Sequence, residues 1–513
     1  MDMGTRARRM RHQGLRMALV LAAVLPWLAC TTAVNPATGR REVVLMTPED
    51  EQRIGDQARR EIQSSLGLVR DEELVAYVQE IGDRLAQFSP RRDVQYTFSI
   101  VELDEPNAFA LPGGHIFVSR GLMVLANSEA ELAHVIGHEI AHVAAKHSAN
   151  RDAHAKTFGI ATLISDMLSG GGEPIHESET AGANPIARYA RNQERQADLI
   201  GQEIATRANV EPTGMARFLT ALDNYTKLSQ GFSMPQTYFA THPALRERMA
   251  EAATRAQTEA WRQRGDAPPG LQSQQRSLEE DRDIYLDRIE GMAVERPASE
   301  GVFVDDRFLH ADLDFTLRFP HGWTTRNEAS WVGAFAPKRD GVVALELQGP
   351  GNDPAQAAAD YATREGLKLQ GATPVKIGEL NGFRAVSVMP TAFGPLKAEI
   401  TWIAHNDLVY RLIGGMQSGQ LRKYQGLFRK FAQSFRPLSR EESGSVAELR
   451  LRTALALPGE TLPELSERTG NEWDLTFTSV ANGIFTHEPL APGQRVKIAV
   501  REPYVPDAAA PSE

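Results

Sequence analysis

The sequence predicts a multidomain chain: a mainly α-helical first region with a small β-hairpin or sheet, then an α+β region, then a small βααβ unit. Three observations lead there. At 513 residues the chain exceeds one ordinary domain, and two to four is the expected count. Hydrophobic periodicity is helical to about residue 262 and switches to alternation after about 303. Polar stretches at 264–280 and 439–444 separate the regions. Apolar residues make up 42% of the chain, enough to build buried cores and to exclude global disorder.

The N-terminus comes first. Arg6, Arg8, Arg9, Arg11 and Arg16 precede an apolar run from Met17 to Ala29, which ends at Cys30. This is the pattern of a secretory signal over 1–29, since spanning a bilayer takes about 20 apolar residues. Cys30 is the single cysteine, so no disulfide can form within the chain. Its position resembles a bacterial lipoprotein signal, with Trp27 where an aliphatic residue is usual. The resemblance implies lipidation at Cys30 and anchoring to a membrane surface; the alternative is plain cleavage beside an incidental cysteine. The net charge is −10, and without residues 1–29 it is −14. That balance argues against nucleic acid as a partner, because phosphate binding needs a basic footprint.

Within 33–262 a hairpin is expected near 96–120, followed by the strongest chemical signal, His138-Glu139-Ile140-Ala141-His142. Ser128 with Glu131 forms a capping box, and Leu132, Val135, Ile136, Ile140 and Val143 make a stripe of helical period. Histidines four apart on a helix share a face and can share a metal ion, and zinc suits imidazole ligands. Glu139, beside the first of them, is placed to take a proton from a metal-activated water. His134 also lies on that face, but Val135 follows it where the base should be, so it reads as structural. His147 is out of register for a third ligand of the kind that follows six residues after the second histidine.

A third ligand must come from elsewhere. Glu194 and Asp198, four apart in the expected helix Ile186–Arg207, face the same way. Glu194 can complete the metal site, and Asp198 can accept the second ring N–H of a ligand histidine. A charged, solvated helix face, fitting Arg191 and Arg195, is the bland alternative. Thr241-His242-Pro243 follows. His242 can serve as oxyanion stabiliser or fourth ligand, or it can cap the helix expected over 244–258. The stretch 168–185, with Gly170-Gly171-Gly172, reads as a lid or as a plain surface loop.

Residues 263–302 are expected as a linker or transitional segment that includes the amphipathic stretch Tyr285 to Met292. The α+β region spans 303–437. Leu313, Phe315, Leu317 and Phe319 alternate before Pro320, Val343, Leu345 and Leu347 alternate likewise, and helices are expected at 354–366 and 419–434. Asn381-Gly382 and Asn406-Asp407 are candidate hairpin turns. His310, His321 and His405 are scattered and read as structural. The rhythm of the region is similar to the PsbP-like α+β fold.

In 447–503, Pro458-Gly459, the helix-stop Thr469-Gly470, Asn482-Gly483 and Pro492-Gly493 space out turn, helix, helix, loop and final strand. That order resembles a LysM module. The resemblance implies a βααβ fold and peptidoglycan as a partner, or a scaffold of the same shape that binds no glycan.

Four ordered motifs carry a broader resemblance over about 33–255: Asn107-Ala108-Phe109-Ala110-Leu111-Pro112-Gly113-Gly114, the HEIAH helix, Glu194 with Asp198, and Thr241-His242-Pro243. Together they resemble the HtpX-type zinc metallopeptidases, and Asn35-Pro36-Ala37-Thr38-Gly39-Arg40 fits their secreted, BepA-like branch. The resemblance implies a zincin-type domain of the gluzincin kind, with one Zn2+ per chain on His138, His142 and Glu194. It also implies that the 107–119 hairpin borders a cleft taking extended polypeptide substrates. The expectation is an exported zinc endopeptidase of the bacterial periplasm, lipid-anchored to the outer membrane, acting on misfolded or misassembled envelope proteins. The alternative is a cell-wall-anchored binding or assembly factor whose zinc site is latent or regulatory.

Overall fold

The computed structural model describes residues 32–147, 185–228, 242, 245–266, 278–416 and 421–506, apart from 36, 38, 40, 44, 45, 339, 392 and 393. The expected signal, Cys30 and the 168–184 stretch lie outside the described residues.

A ribbon of β1 (Thr32–Val34) and β2 (Arg41–Val43) precedes α1 (Pro48–Leu66). Thr47 starts α1 by accepting from the Asp50 N–H at 3.1 Å, with Pro48 in the first turn and three acidic residues against the helix dipole. Asp71 caps α2 (Glu72–Ala86), whose Leu74, Val78, Ile81 and Leu85 are buried. A sheet of β3 (Thr97–Val101), β4 (Ala108–Ala110) and β5 (His115–Ser119) follows, in the order β3-β5-β4. The hairpin expected near 96–120 is present as β4 and β5, and β3 adds a third strand to it. This third strand runs parallel to β5 because the connection 102–107 crosses to the far edge. Apolar alternation marks a strand but does not name its partner. β4 is left at one edge of the sheet and β3 at the other.

Next come α3 (Arg120–Leu125) and α4 (Glu129–Ala144). Ser128 caps α4 through the Glu131 N–H at 3.2 Å, and every residue of α4 is buried, so it forms the axis of the region. Around it lie α5 (Pro185–Arg207), α6 (Gly214–Leu228) and α7 (Leu245–Asp266). α4 and α5 cross where Gly137 meets Gly201, and a Cβ on Gly201 would sit 2.8 Å from the backbone nitrogen of His138. Glycine at that crossing is what lets the two helices approach closely. Residues expected to act as a linker instead form α8 (Leu278–Ile289), whose Tyr285, Leu286 and Ile289 enter the same core. The Tyr285 hydroxyl donates to the Met123 carbonyl at 2.5 Å.

The following region is α+β. β6 (Val302–Val304), β7 (Arg307–His310) and β8 (Phe315–Arg318) make a small antiparallel sheet. A seven-stranded antiparallel sheet joins β9 (Thr324–Glu328), β10 (Trp331–Phe335), β11 (Gly341–Pro350), β12 (Gln370–Ile377), β13 (Leu380–Thr391), β14 (Gly394–His405) and β15 (Leu408–Met416), in the order β12-β13-β14-β15-β11-β10-β9. Helices α9 (Pro354–Arg364) and α10 (Leu421–Gln433) pack on it through separate apolar clusters. Asn406 and Asp407 do form a turn, at φ 50° and 57°. Asn381-Gly382 does not: Ile377 pairs with Leu380, so the turn is Gly378-Glu379 with Gly378 at φ 56°, and Asn381 lies within β13. Leu347 is exposed although Val343 and Leu345 are buried, and the register of β11 shifts just beyond it, between Leu347 and Gly349.

After the short α11 (Arg440–Ser445), the last unit runs β16 (Ala447–Leu455), α12 (Leu462–Thr469), α13 (Leu475–Asn482) and β17 (Arg495–Pro503), with the two strands antiparallel. Gly459, Gly470, Gly483 and Gly493 all take positive φ, as turns and helix ends there require. Phe477 and Val480 pack on the core built around α4. Lys497, fully buried, donates to the carbonyls of Val124 and Ala126 at 2.6 and 2.7 Å. No helix among the described residues is long and apolar enough to cross a membrane.

Candidate metal centre

Two turns of α4 bring His138 and His142 to one face, with their Nε2 atoms 2.9 Å apart. Across the Gly137–Gly201 crossing, α5 presents Glu194. Its Oε2 lies 3.4 Å from His138 Nε2, and its Oε1 lies 3.3 Å from His142 Nε2. His242 comes in from the segment before α7, placing Nδ1 3.0 Å from Glu194 Oε2 and 3.3 Å from His138 Nε2. One ligand atom from each of the four residues falls within 4.8 Å of the others, and all four side chains are buried.

These separations fit a tetrahedral ion. Ligands at about 2.0–2.1 Å from zinc stand roughly 3.3 Å apart at the corners of a tetrahedron. The donor set of imidazole nitrogens and a carboxylate is also one that zinc accepts. The charged, solvated alternative for the α5 face fails for Glu194 and Asp198, which are 4% and 1% exposed. It holds for Arg195, which pairs with Glu247 and Glu251 at the surface.

Behind these groups stands a second layer. Asp198 lies 2.9 Å from His138 Nδ1, so its carboxylate fixes the tautomer that leaves Nε2 free to ligate. Arg248 of α7 donates to both Asp198 oxygens at 2.7 and 2.8 Å, and it reaches Glu194 Oε2 at 2.8 Å and the His242 carbonyl at 3.3 Å. On the other side, His147 Nδ1 is 3.0 Å from His142 Nδ1, and its Nε2 is 2.8 Å from Gln196 Oε1. Sequence reasoning missed Arg248 and Gln196 and set His147 aside. The signal for Arg248 was its place on the buried stripe Arg248, Ala252, Ala256 of an otherwise polar helix. His134 is structural as expected, with Nε2 2.9 Å from the Glu211 carbonyl. His310 and His405 likewise meet backbone groups, the Leu313 N–H and the Asp314 carbonyl.

The electrostatics suit a cation. Burial opposes the charge of Glu194, yet His242, His142 and His138 hold its carboxyl well below the usual range. Burial likewise opposes the charge of Asp198, which Arg248 and His138 outweigh to the same effect. For His138, burial acts against the imidazolium, but hydrogen bonds to Asp198 and Glu194 push its pKa up to about 9. Burial raises Glu139 and lowers His142. Glu139 is 1% exposed, its Oε1 accepts no hydrogen bond from a described residue, and His242 Nε2 lies 3.5 Å from it. A buried carboxylate with a raised pKa next to a cation site is equipped to act as a general base.

Comparison with known proteins bears on the same region. Residues 72–256 match the family described as Peptidase family M48. The beta-barrel assembly-enhancing protease of Escherichia coli K12 is 27% identical over 248 residues, covering 47% of this chain and 50% of that protein. The mitochondrial metalloendopeptidase OMA1 of Schizosaccharomyces pombe is 28% identical over 219 residues, covering 42% of this chain and 63% of its own. The chain thus spans about half the length of the assembly-enhancing proteases it matches. Cyanobacterial PsbP of Synechocystis aligns with 27% of the chain and 95% of its own, at 10% identity and a TM-score of 0.22, too weak a likeness to settle the fold of the α+β region.

Proposed function

We propose that this chain, which carries a Peptidase family M48 domain, is a zinc metalloendopeptidase of the bacterial cell envelope. The observation that carries the proposal is the convergence of His138, His142 and Glu194 from two helices onto one buried point, with Glu139 beside it.

Zinc held there would polarise a scissile carbonyl and lower the pKa of a water to about 7. The chain's own residues do the rest. Glu139 takes a proton from the attacking water and hands it to the departing amine. Asp198 and Arg248 keep Glu194 and His138 in place. β4 lies at an edge of its sheet, where an extended polypeptide can add as a further strand. His242 stands in the same four-residue group, and a metal held by all four would have no open position, so substrate entry would require its withdrawal. Once displaced, His242 is placed to stabilise the oxyanion.

The decisive experiment replaces Glu139 by Gln. We expect bound zinc to be retained and casein degradation to fall at least a hundredfold. Degradation at the wild-type rate would refute the assignment of the base. His242→Ala should keep zinc on the other three ligands and raise degradation; a fall in degradation would mean that its oxyanion role outweighs its role as fourth ligand.

Substrates are proposed to be misfolded or misassembled envelope proteins, in keeping with the assembly-enhancing proteases that the domain resembles. The basic and apolar N-terminal pattern supports export to the periplasm, and Cys30 supports a lipid anchor at the outer membrane. The βααβ order of 447–503 supports a LysM-like module and contact with peptidoglycan. The second reading is an assembly factor whose zinc is regulatory, and the four-residue group favours it over a permanently open enzyme.

A further inference from the structure

Each ligand histidine has two ring nitrogens, and only one of them can face the metal. Nε2 is available as a ligand only when the proton sits on Nδ1. For His138 the acceptor of that proton is Asp198, an anion that can do nothing but accept. For His142 the partner is another imidazole, His147, with the two Nδ1 atoms 3.0 Å apart. An imidazole can either donate or accept, so this contact alone leaves the tautomer of His142 open.

Gln196 closes it. Its amide oxygen lies 2.8 Å from His147 Nε2, and an amide oxygen accepts. With the Gln196 amide oxygen facing it, as here, His147 carries its proton on Nε2 and can offer the Nδ1 lone pair to His142. His142 donates through Nδ1, and its Nε2 lone pair faces His138 and Glu194. We propose that His147 is a positioning residue for the metal, holding His142 in the one tautomer that can ligate, and that Gln196 of α5 sets His147 in turn. This rests on the metal-centre reading above.

Placement supports the assignment. His147 is 5% exposed, and its ring stands at 74° to that of His142 with centroids 4.9 Å apart, so both rings are held in orientation. Gln196 lies between Glu194 and Asp198 in sequence, so one stretch of α5 supplies a ligand and the anchors of both ligand histidines. The neutral character of this second relay also matters. Glu139, Glu194 and Asp198 carry three negative charges against Arg248 and a divalent ion, which balance. A carboxylate in place of the His147–Gln196 pair would leave a buried excess charge, which is costly.

The test is zinc affinity of the full chain, measured by competition with a chromophoric chelator, alongside thermal unfolding of the metal-free protein. His147→Phe keeps a ring of similar volume but cannot accept from His142, and we expect zinc to bind about 10- to 100-fold more weakly. His147→Asn puts an amide oxygen near the place of Nδ1 and should recover most of that loss. Gln196→Leu should weaken zinc several-fold. The metal-free proteins should unfold at similar temperatures, which a merely structural role would not allow together with a zinc-specific loss. Wild-type affinity in His147→Phe overturns the proposal while leaving the metal centre intact. An Asn variant as weak as Phe also overturns it. Failure of the wild type to bind zinc removes both this inference and the metal centre beneath it.

Discussion

The region around α4 and the α+β region that follows it bury very different things. Around α4 the interior holds Glu131, His134, His138, Glu139, His142, His147, Glu194, Asp198 and Arg248, most of them within one or two hydrogen bonds of the metal centre. In the interior of 302–437, Phe308, Phe315, Phe319, Phe428, Phe431, Phe435 and Tyr410 form one cluster, with Phe315 stacked on Phe435 at 5.0 Å, and the buried charged side chains among the described residues are only Glu399 and Arg411. Burying ionised groups is unfavourable unless each is paired, whereas aromatic burial is favourable in itself. The contrast sets a charged, paired interior in the first region against a largely aromatic one in the second.

The sharpest way to break that comparison is Arg248→Leu. It leaves the Asp198 and Glu194 carboxylates buried without their guanidinium, which typically costs about 3–5 kcal/mol. In calorimetry of the metal-free chain, the transition carrying the α4 region should drop while that of 302–437 stays put. Added zinc should recover part of the loss, since a cation at the centre replaces the missing charge. Equal shifts in both transitions would mean that the two regions do not unfold separately.

A smaller effect comes from His134, which is buried and whose pKa burial lowers to about 4. The unfolded chain takes up a proton near pH 6.5, and the folded protein only near pH 4. Stability from this group is therefore complete above pH 6.5 and is lost as pH falls toward 4, by about 3 kcal/mol at the limit. His134→Gln can still donate to the Glu211 carbonyl and does not titrate. Metal-free wild type should thus lose more stability than the variant between pH 7 and pH 4.5. If the two fall in parallel, His134 is not held neutral by burial.

How far the sequence disclosed all this follows the same contrast. His138, Glu139 and His142 were legible because their spacing on a helix has chemical meaning by itself. Glu194 and Asp198 were legible as a candidate ligand and its neighbour from their spacing and the motifs around them, but their distances to His138 and His142 were not, since those depend on how closely α5 approaches α4. The approach is set by Gly137 and Gly201, two glycines in helices that no local rule connects. Arg248 was not singled out, because a buried ion pair leaves no periodic trace except the apolar stripe it interrupts. In the α+β region, alternation found the strands around Phe315, Leu317, Val343 and Leu345 and the Asn406-Asp407 turn, but Leu347 faces outward and Asn381-Gly382 misled. An Asn-Gly pair marks a turn only when the register of its neighbours agrees, and pairing Ile377 with Leu380 places Asn381 inside the strand.

The smallest effect sharpens the comparison from the other side. Phe315 stacks on Phe435 at 19° between ring planes and meets Tyr410 edge-on at 5.2 Å. Phe315→Leu keeps the site apolar and nearly filled, so the loss is confined to the ring contacts and slight misfit, about 1–2 kcal/mol. No charge is exposed and no hydrogen bond is broken by the exchange. Only the transition of 302–437 should move, and zinc affinity and casein degradation should match wild type. A change in zinc affinity in this variant would mean that the aromatic region acts on the metal centre from a distance. The joint would then be the contact of α8 and the last unit with the α4 core, through Tyr285, Phe477 and Lys497.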